Sequence, residues 1–530
     1  MVENELSVLT SQQTMKKAPE LRFNTTSHPL VYEVNTRVLL RELQAEHGEE
    51  VTLGTIPDKL LDEWAALGFD AIWLMGVWTT GKIGLEIART DKSLLEEYKR
   101  VLPNFSEEDV IGSPYAVKAY VVSPALGGNK GLLQLRNRMR QRGLSLVLDF
   151  VPNHTARDHQ WVSRHPEYYM NGREGEDIQK PEYYFATSTI KGLFVLAFGR
   201  DPNYPGWTDT AQLDIRNAET RKAMISTIKK IAAMCDGIRC DMGMLLLNDV
   251  FEKTWPDRAL SSVVELASGE SWAEAIRAVK AEVPNFKFIA EAYWDREWQL
   301  QQLGFDYTYD KRLYERLARE GAGAVYDHLK AEPEYQKKSV RFIENHDEPR
   351  AAQVFSADPW HFAAATVMSC VPGMALFHEG QLTGSRIKLP VQLGRRPTHE
   401  QAPQIAAFYN KLIPIVSHPV FRQGQWKLLQ AKPAWHENHT WTNFLAFWWY
   451  EKKEGARFIV INYAPLNGQC YVELTLDGID GSSVEFRDLI GTANFVRERS
   501  ALATKGMYFD LPGYSLHIFD VIPHRPPGKI

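Results

Sequence analysis

Pro57-Asp-Lys-Leu-Leu-Asp-Glu-Trp-Ala-Ala-Leu-Gly-Phe-Asp-Ala-Ile-Trp-Leu-Met75 is the stretch on which the fold turns. Leu60, Leu61, Trp64 and Leu67 recur at helical spacing on one face, and Gly68 supplies a stop. Phe69 to Met75 then runs almost wholly apolar, the mark of a strand buried on both faces. Outward from this unit the alternation recurs. Val31-Tyr-Glu-Val-Asn-Thr-Arg-Val38 reads as an earlier strand, and residues 131–142 as a helix ended by Gly143. Leu144-Ser-Leu-Val-Leu-Asp-Phe-Val151 is the next buried strand, and others are expected at 237–241, 286–293, 305–309, 340–345 and 373–377. Eight such strands with helical text between most of them, over about 350 residues, favour an α/β fold of the (β/α)8 TIM-barrel type over a doubly wound sheet.

The barrel is expected at 29–152 and 218–415. Residues 1–28 are polar and aperiodic and read as a loose N-terminal arm. One insertion runs from Thr79 to Val117, and a second, 153–217, follows the third strand and is rich in Trp and Tyr. A barrel carries its site on the loops after strand C-termini, so the second insertion reads as a substrate-shaping lobe. Past residue 416 the text changes to short strands with turns such as Asn467-Gly and Asp477-Gly, an appended antiparallel β domain at 416–530.

Composition narrows the function. The chain has 530 residues, 44% apolar and 24% charged, with 61 Lys plus Arg against 66 Asp plus Glu, a net charge of −5. That excludes a disordered, collagen-like or coiled-coil chain, and the lack of a basic block argues against nucleic acid. No run of about 20 apolar residues suggests a membrane span. Four cysteines without C-x-x-C spacing, and an acidic start without a signal-like run, lead us to expect a reduced, soluble, cytoplasmic enzyme.

Polar chemistry stands at strand ends where burial alone would select Val or Leu: Asp149-Phe-Val-Pro-Asn-His154, Arg239-Cys-Asp241, Ala290-Glu-Ala292 and Glu344-Asn-His-Asp-Glu348. Carboxylates from several barrel strands converge on one mouth, where like charges cost several kcal/mol unless function requires them. Converging carboxylates without a metal-ligand cluster suit glycoside hydrolysis or transglycosylation, one ionised as nucleophile and one protonated as acid. Arg239, two residues before Asp241 and on the same side of the strand, favours an ionised Asp241. Ile289, Ala290, Ala292 and Tyr293 give Glu291 an apolar setting, which suits an acid.

These blocks resemble the signature regions of the α-amylase family of glycoside hydrolases. Asp149–His154 matches D-x-x-x-N-H, Gly237–Asp241 matches G-x-R-x-D, Ile289–Ala292 the acid/base block, and Phe342–Asp347 the block ending N-H-D. The opening at Val31 and Pro372-Gly-Met374 look like the family's first and eighth strands. The resemblance implies Asp241 as nucleophile, Glu291 as acid and then base, and Asp347 as the group that binds sugar hydroxyls. It implies that Arg239, His154 and His346 hold the sugar and that Tyr115 stacks on it. No cofactor is implied for the chemistry. A structural calcium is implied at Asn153 and Asp214, the alternative being an Asn that ties down a loop.

The chain also departs from the family. Met244 and Leu245 stand where many α-amylases carry Lys-His, and Pro114-Tyr-Ala-Val-Lys-Ala-Tyr120 has Ala116 and Ala119 in place of acids. Trp73, Trp78, Trp207, Trp294 and Trp298 are candidate sugar platforms, Trp73 better suited to the core. The expected function is a retaining hydrolase of α-glucosidic bonds whose partner is an α-glucan or maltooligosaccharide. The alternatives are a transglycosylase or glucosyl isomerase with the same carboxylates, and a non-catalytic carbohydrate-binding subunit.

Overall fold

A computed structural model describes residues 21–256, 266–398, 401–476 and 478–524. Eight parallel strands close into a barrel: β1 Leu30–Asn35, β2 Ala71–Met75, β3 Ser145–Phe150, β4 Gly237–Cys240, β5 Lys287–Ala290, β6 Tyr307–Tyr309, β7 Ser339–Arg341 and β8 Met374–His378. Each overlaps a stretch read as a strand from the sequence, the seventh only at Val340 and Arg341 of the expected 340–345. β1 borders both β2 and β8, with Val31 opposite Ala71 and Leu30 opposite Ala375, which closes the ring.

Local chemistry sets the strand ends. β1 stops at Asn35 because that side chain caps the helix Thr36–His47, accepting from the Val38 N–H at 3.4 Å. The strand expected to reach residue 38 is therefore shorter. The helix Asp58–Ala66 buries Leu61 and Trp64 against the barrel. Gly68 follows at φ +90°, and a Cβ there would lie 2.5 Å from that of Ser417. Left-handed backbone and close approach together require glycine.

Long excursions leave the C-terminal rim. After β2, Trp78–Thr80 pairs with Val117–Val122. After β3, His154–Ala156 pairs with Thr210–Gln212, and Tyr184–Thr189 forms a hairpin with Gly192–Ala197. Beyond the helix Pro403–Val416 lie a six-stranded antiparallel sheet containing Phe444–Glu451 and Gly455–Asn462, and a three-stranded sheet containing Gly468–Val472. Phe447, Trp449, Ile459, Ile461 and Ile518 of the larger sheet pack into the barrel's own core. Trp449 also donates its Nε1–H to the Cys370 carbonyl at 2.7 Å. Asp477 of the expected Asp477-Gly turn lies outside the described residues, as do residues 1–20 of the expected arm.

The rest of that arm is not loose. Arg22–Thr25 forms a helical turn, Phe23 is fully buried in the barrel core beside Tyr307, and Arg22 donates to the Phe69 carbonyl at 2.8 Å. A single anchoring Phe in polar text carries no period, so the sequence pattern could not reveal it. Among the described residues no helix is long and apolar enough to cross a membrane. All four cysteines are buried and unpaired.

Candidate active site

Register builds the site. Arg239 on β4 pairs with Asp149 on β3 and Ile289 on β5. One rung further, the Asp241 N–H donates to Phe150 O at 2.9 Å and the Glu291 N–H to Cys240 O at 3.0 Å. Both carboxylates therefore stand at the C-terminal rim, where barrel loops gather chemistry. Arg239, wholly buried, reaches both of them. Its Nη1 donates to Asp241 Oδ1 at 2.6 Å, and its Nη2 lies 2.7 Å from Glu291 Oε2. Asp347, beyond β7, brings Oδ2 to 3.7 Å from that same Nη2. The three acids border one pocket of about 340 Å³, with Tyr115, His154 and Trp207 on its wall.

Each acid is held by neighbours. Glu291 accepts from the Met242 N–H on Oε2 at 2.6 Å and from the Tyr293 hydroxyl on Oε1 at 2.8 Å. Met242 sits in left-handed backbone at φ +44°, strain that turns its N–H onto the acid. The setting of Glu291 is thus polar, not the apolar one its sequence neighbours suggest. His346 places Nε2 2.9 Å from Asp347 Oδ2 and 2.6 Å from the Tyr115 hydroxyl, while Nδ1 faces Glu33 Oε1 at 2.5 Å. Asp149 accepts from Trp73 Nε1–H and Gly76 N–H, each at 3.1 Å. The sequence reading assigns no role to Glu33, Asp149 or Met242, and counts Tyr293 as an apolar neighbour of Glu291 where it is a hydrogen-bond donor. Asp149 lay inside a matched block, and the Tyr293 ring follows two residues after the acid. Glu33 gave no signal.

Burial and charge compete here. Burial pushes Asp241 up to about 7, Arg239 opposing and Glu291 adding to the rise. The expectation that Arg239 keeps Asp241 readily ionised is right in sign, but desolvation outweighs it. Burial likewise lifts Asp149 to about 6 against the pull of Arg239. Burial alone would strip His346 of its proton, yet Asp347 and Glu33 together hold it up at about 10. Asp347 moves the other way: against burial, the protonated His346 and then Arg239 keep it well below the usual carboxylate range. Its side chain is 41% exposed, open to the pocket. Burial brings His154 down to about 4, so its ring is neutral near pH 7.

The remaining expected residues divide. The Tyr115 ring stacks on His346 at 5.6 Å and covers Arg239 at 5.3 Å while also facing the pocket. The His154 ring lies 5.2 Å from Trp207. Of the candidate tryptophans, Trp207 borders the pocket, Trp73 and Trp78 are buried and bond to Asp149, and Trp294 and Trp298 stand exposed outside its wall. Met244 and Leu245 are buried in the core, so neither faces a sugar site.

Asn153 and Asp214 do not fit a calcium ion. The Asn153 Oδ1 accepts from Gln212 Nε2 at 2.9 Å, and its Nδ2 donates back to Gln212 Oε1 at 3.1 Å. Both Asp214 oxygens are taken by one guanidinium, Arg216 Nε to Oδ1 at 2.9 Å and Nη2 to Oδ2 at 2.7 Å. A positive charge already sits where a cation would be needed. Asn153 instead ties the lobe strand to the rim. Among the described residues no three His, Cys, Asp or Glu gather as a metal site.

A closed (β/α)8 barrel with three carboxylates around a buried arginine at its C-terminal mouth defines the class. The model of the α-amylase catalytic domain matches residues 52–388, more than half of the chain. The chain belongs to the α-amylase family. It is 22% identical over 368 residues to the α-amylase MalA of Haloarcula japonica, covering 67% of this chain and 44% of that protein. It is 19% identical over 304 residues to α-amylase 3 of Dictyoglomus thermophilum, covering 52% of this chain and 55% of that protein. The chain thus spans about half the length of the curated relatives it matches. The crystal structure of the noncanonic maltogenic α-amylase AmyB from Thermotoga neapolitana superposes with a TM-score of 0.63 at 18% identity, over 94% of this chain and 99% of that one.

Proposed function

We propose that this chain is a retaining glycoside hydrolase of α-glucosidic bonds in α-1,4-glucans or maltooligosaccharides. The observation that carries the reading is the single guanidinium of Arg239 between Asp241 and Glu291, with Asp347 beside it. An Asp241 oxygen attacks the anomeric carbon as Glu291 gives its proton to the departing glycosidic oxygen, leaving a β-glycosyl ester on Asp241. Water then attacks that carbon, Glu291 takes back a proton, and the Asp241 ester bond breaks with the α-configuration restored. Two inversions give net retention. Asp347, held ionised by His346, faces the positive charge that builds on the ring.

Proton NMR of the first product from maltotetraose tests the stereochemistry: the α-anomer is expected, and the β-anomer would refute double displacement. Asp241→Asn and Glu291→Gln should each lower kcat by about a thousandfold or more with the fold retained. Failure of either variant to fold would overturn that residue's assignment. Transfer to a second sugar is the other reading. It is favoured by the lobe, which brings Trp207, Asp209 and Thr210 over the pocket and can shield the ester from water. Products longer than the substrate would select it.

A further inference from the structure

Four carboxylates border the pocket, and the proposed reaction gives work to three; the fourth is Asp209, from the lobe. Among the described residues no side chain bonds to its carboxylate. The cation that acts on it, Arg157, lies instead on the Phe185 ring at 4.3 Å and donates to the Thr208 carbonyl at 3.2 Å. Burial raises Asp209 above its ordinary range, and a hydrogen bond from its own backbone N–H and then the charge of Arg157 only temper the rise. A half-buried acid of this kind carries a desolvation cost unless a ligand's donors meet it.

The backbone around it is fixed. Asp209 directly precedes Thr210–Gln212, the strand paired with His154–Ala156, and Thr210 Oγ1 donates to the Trp207 carbonyl at 2.7 Å. Its side chain occupies a gap left by small residues. A Cβ built on Gly84 would lie 3.3 Å from both the Asp209 Cβ and the Ala116 Cβ. Ala116 is one of the two positions where this chain has alanine and the family often has an acid. The lobe therefore delivers a carboxylate to the neighbourhood that Pro114–Tyr120 leaves without one, on the same side as Tyr115 and His154.

We propose that Asp209 is a specificity-determining residue whose carboxylate accepts hydrogen bonds from hydroxyls of a bound neutral sugar. The inference rests on the α-glucoside reading above. A carboxylate offers two oxygens to adjacent hydroxyls, so a chain with free vicinal hydroxyls is the ligand class that it selects.

The test compares wild type, Asp209→Asn and Asp209→Ala on maltotriose, maltotetraose and monodeoxy versions of them. Asp209→Ala should raise KM roughly tenfold to a hundredfold, the worth of a hydrogen bond to a charged group, with kcat within about threefold. One deoxy position should cost wild type that same factor and cost Asp209→Ala nothing further. An unchanged KM, identical deoxy penalties in both enzymes, or a fall in melting temperature without a KM change would each overturn the assignment. Wild type inert on every α-glucoside would overturn the hydrolase reading and this inference with it; an active wild type matched by Asp209→Ala would overturn this one alone.

Discussion

The Glu33–His346–Asp347 line shows how single residues set the charge of the mouth. Glu33 is held below the usual carboxylate range, burial being overcome by His378 and His346. The sign of its effect on stability follows from both partners. His346 rises from 6.5 to about 10 on folding, so its contribution is complete below pH 6.5 and is lost as pH climbs toward 10. Glu33 falls below 4.5, so its share is complete above pH 4.5 and is lost as pH drops further. The pair's own contribution is therefore complete between about pH 4.5 and 6.5 and is lost toward pH 10, so Glu33→Gln should flatten the fall in melting temperature over that alkaline range. A Glu33→Gln profile parallel to wild type from pH 6.5 to 10 would show that the pair does not set it. Glu33 was illegible because it contacts a histidine 313 residues away, a pairing that only barrel closure creates. Asp241, Glu291 and Asp347 were legible because charge at the end of an apolar strand conflicts with its surroundings in the sequence itself.

At the scale of elements, the eight strands could be read because burial on both faces leaves an apolar run between turn signals. Their ends could not, since caps such as Asn35 act through the backbone of the following helix. The lobe's attachment was also hidden. Nothing in the local pattern of Gln212 or Arg216 names its partner, yet they supply the amide pair and the guanidinium that fasten it. From this follows that a chelator such as EDTA leaves the melting temperature unchanged. Arg216→Ala should destabilise by about 1–3 kcal/mol, because a buried Asp214 loses its charge-assisted partners. Differential scanning fluorimetry decides both, and a chelator-sensitive wild type would contradict the metal-free account of this joint.

For the molecule as a whole, the sequence marks a change of character near residue 416, but it does not tell whether two units share a core. They do in part: Phe447, Trp449, Ile459, Ile461 and Ile518 of the larger C-terminal sheet join the apolar cluster of the barrel and its helices, and the Tyr463 hydroxyl donates to the Leu317 carbonyl at 2.7 Å. Calorimetry should show one cooperative transition rather than two, and a chain ended at residue 416 should aggregate. A soluble, monomeric truncation with a sharp transition of its own would separate the units.

The ring order, with β1 lying against β8, has a consequence for biogenesis. A ribosome releases β1 long before β8 exists, and the His28 carbonyl waits 394 residues for the Arg422 guanidinium. Until then the ring stays open and the outer edge of β1 has no partner, so the growing chain calls for chaperone shelter, and dilution from denaturant should refold it slowly.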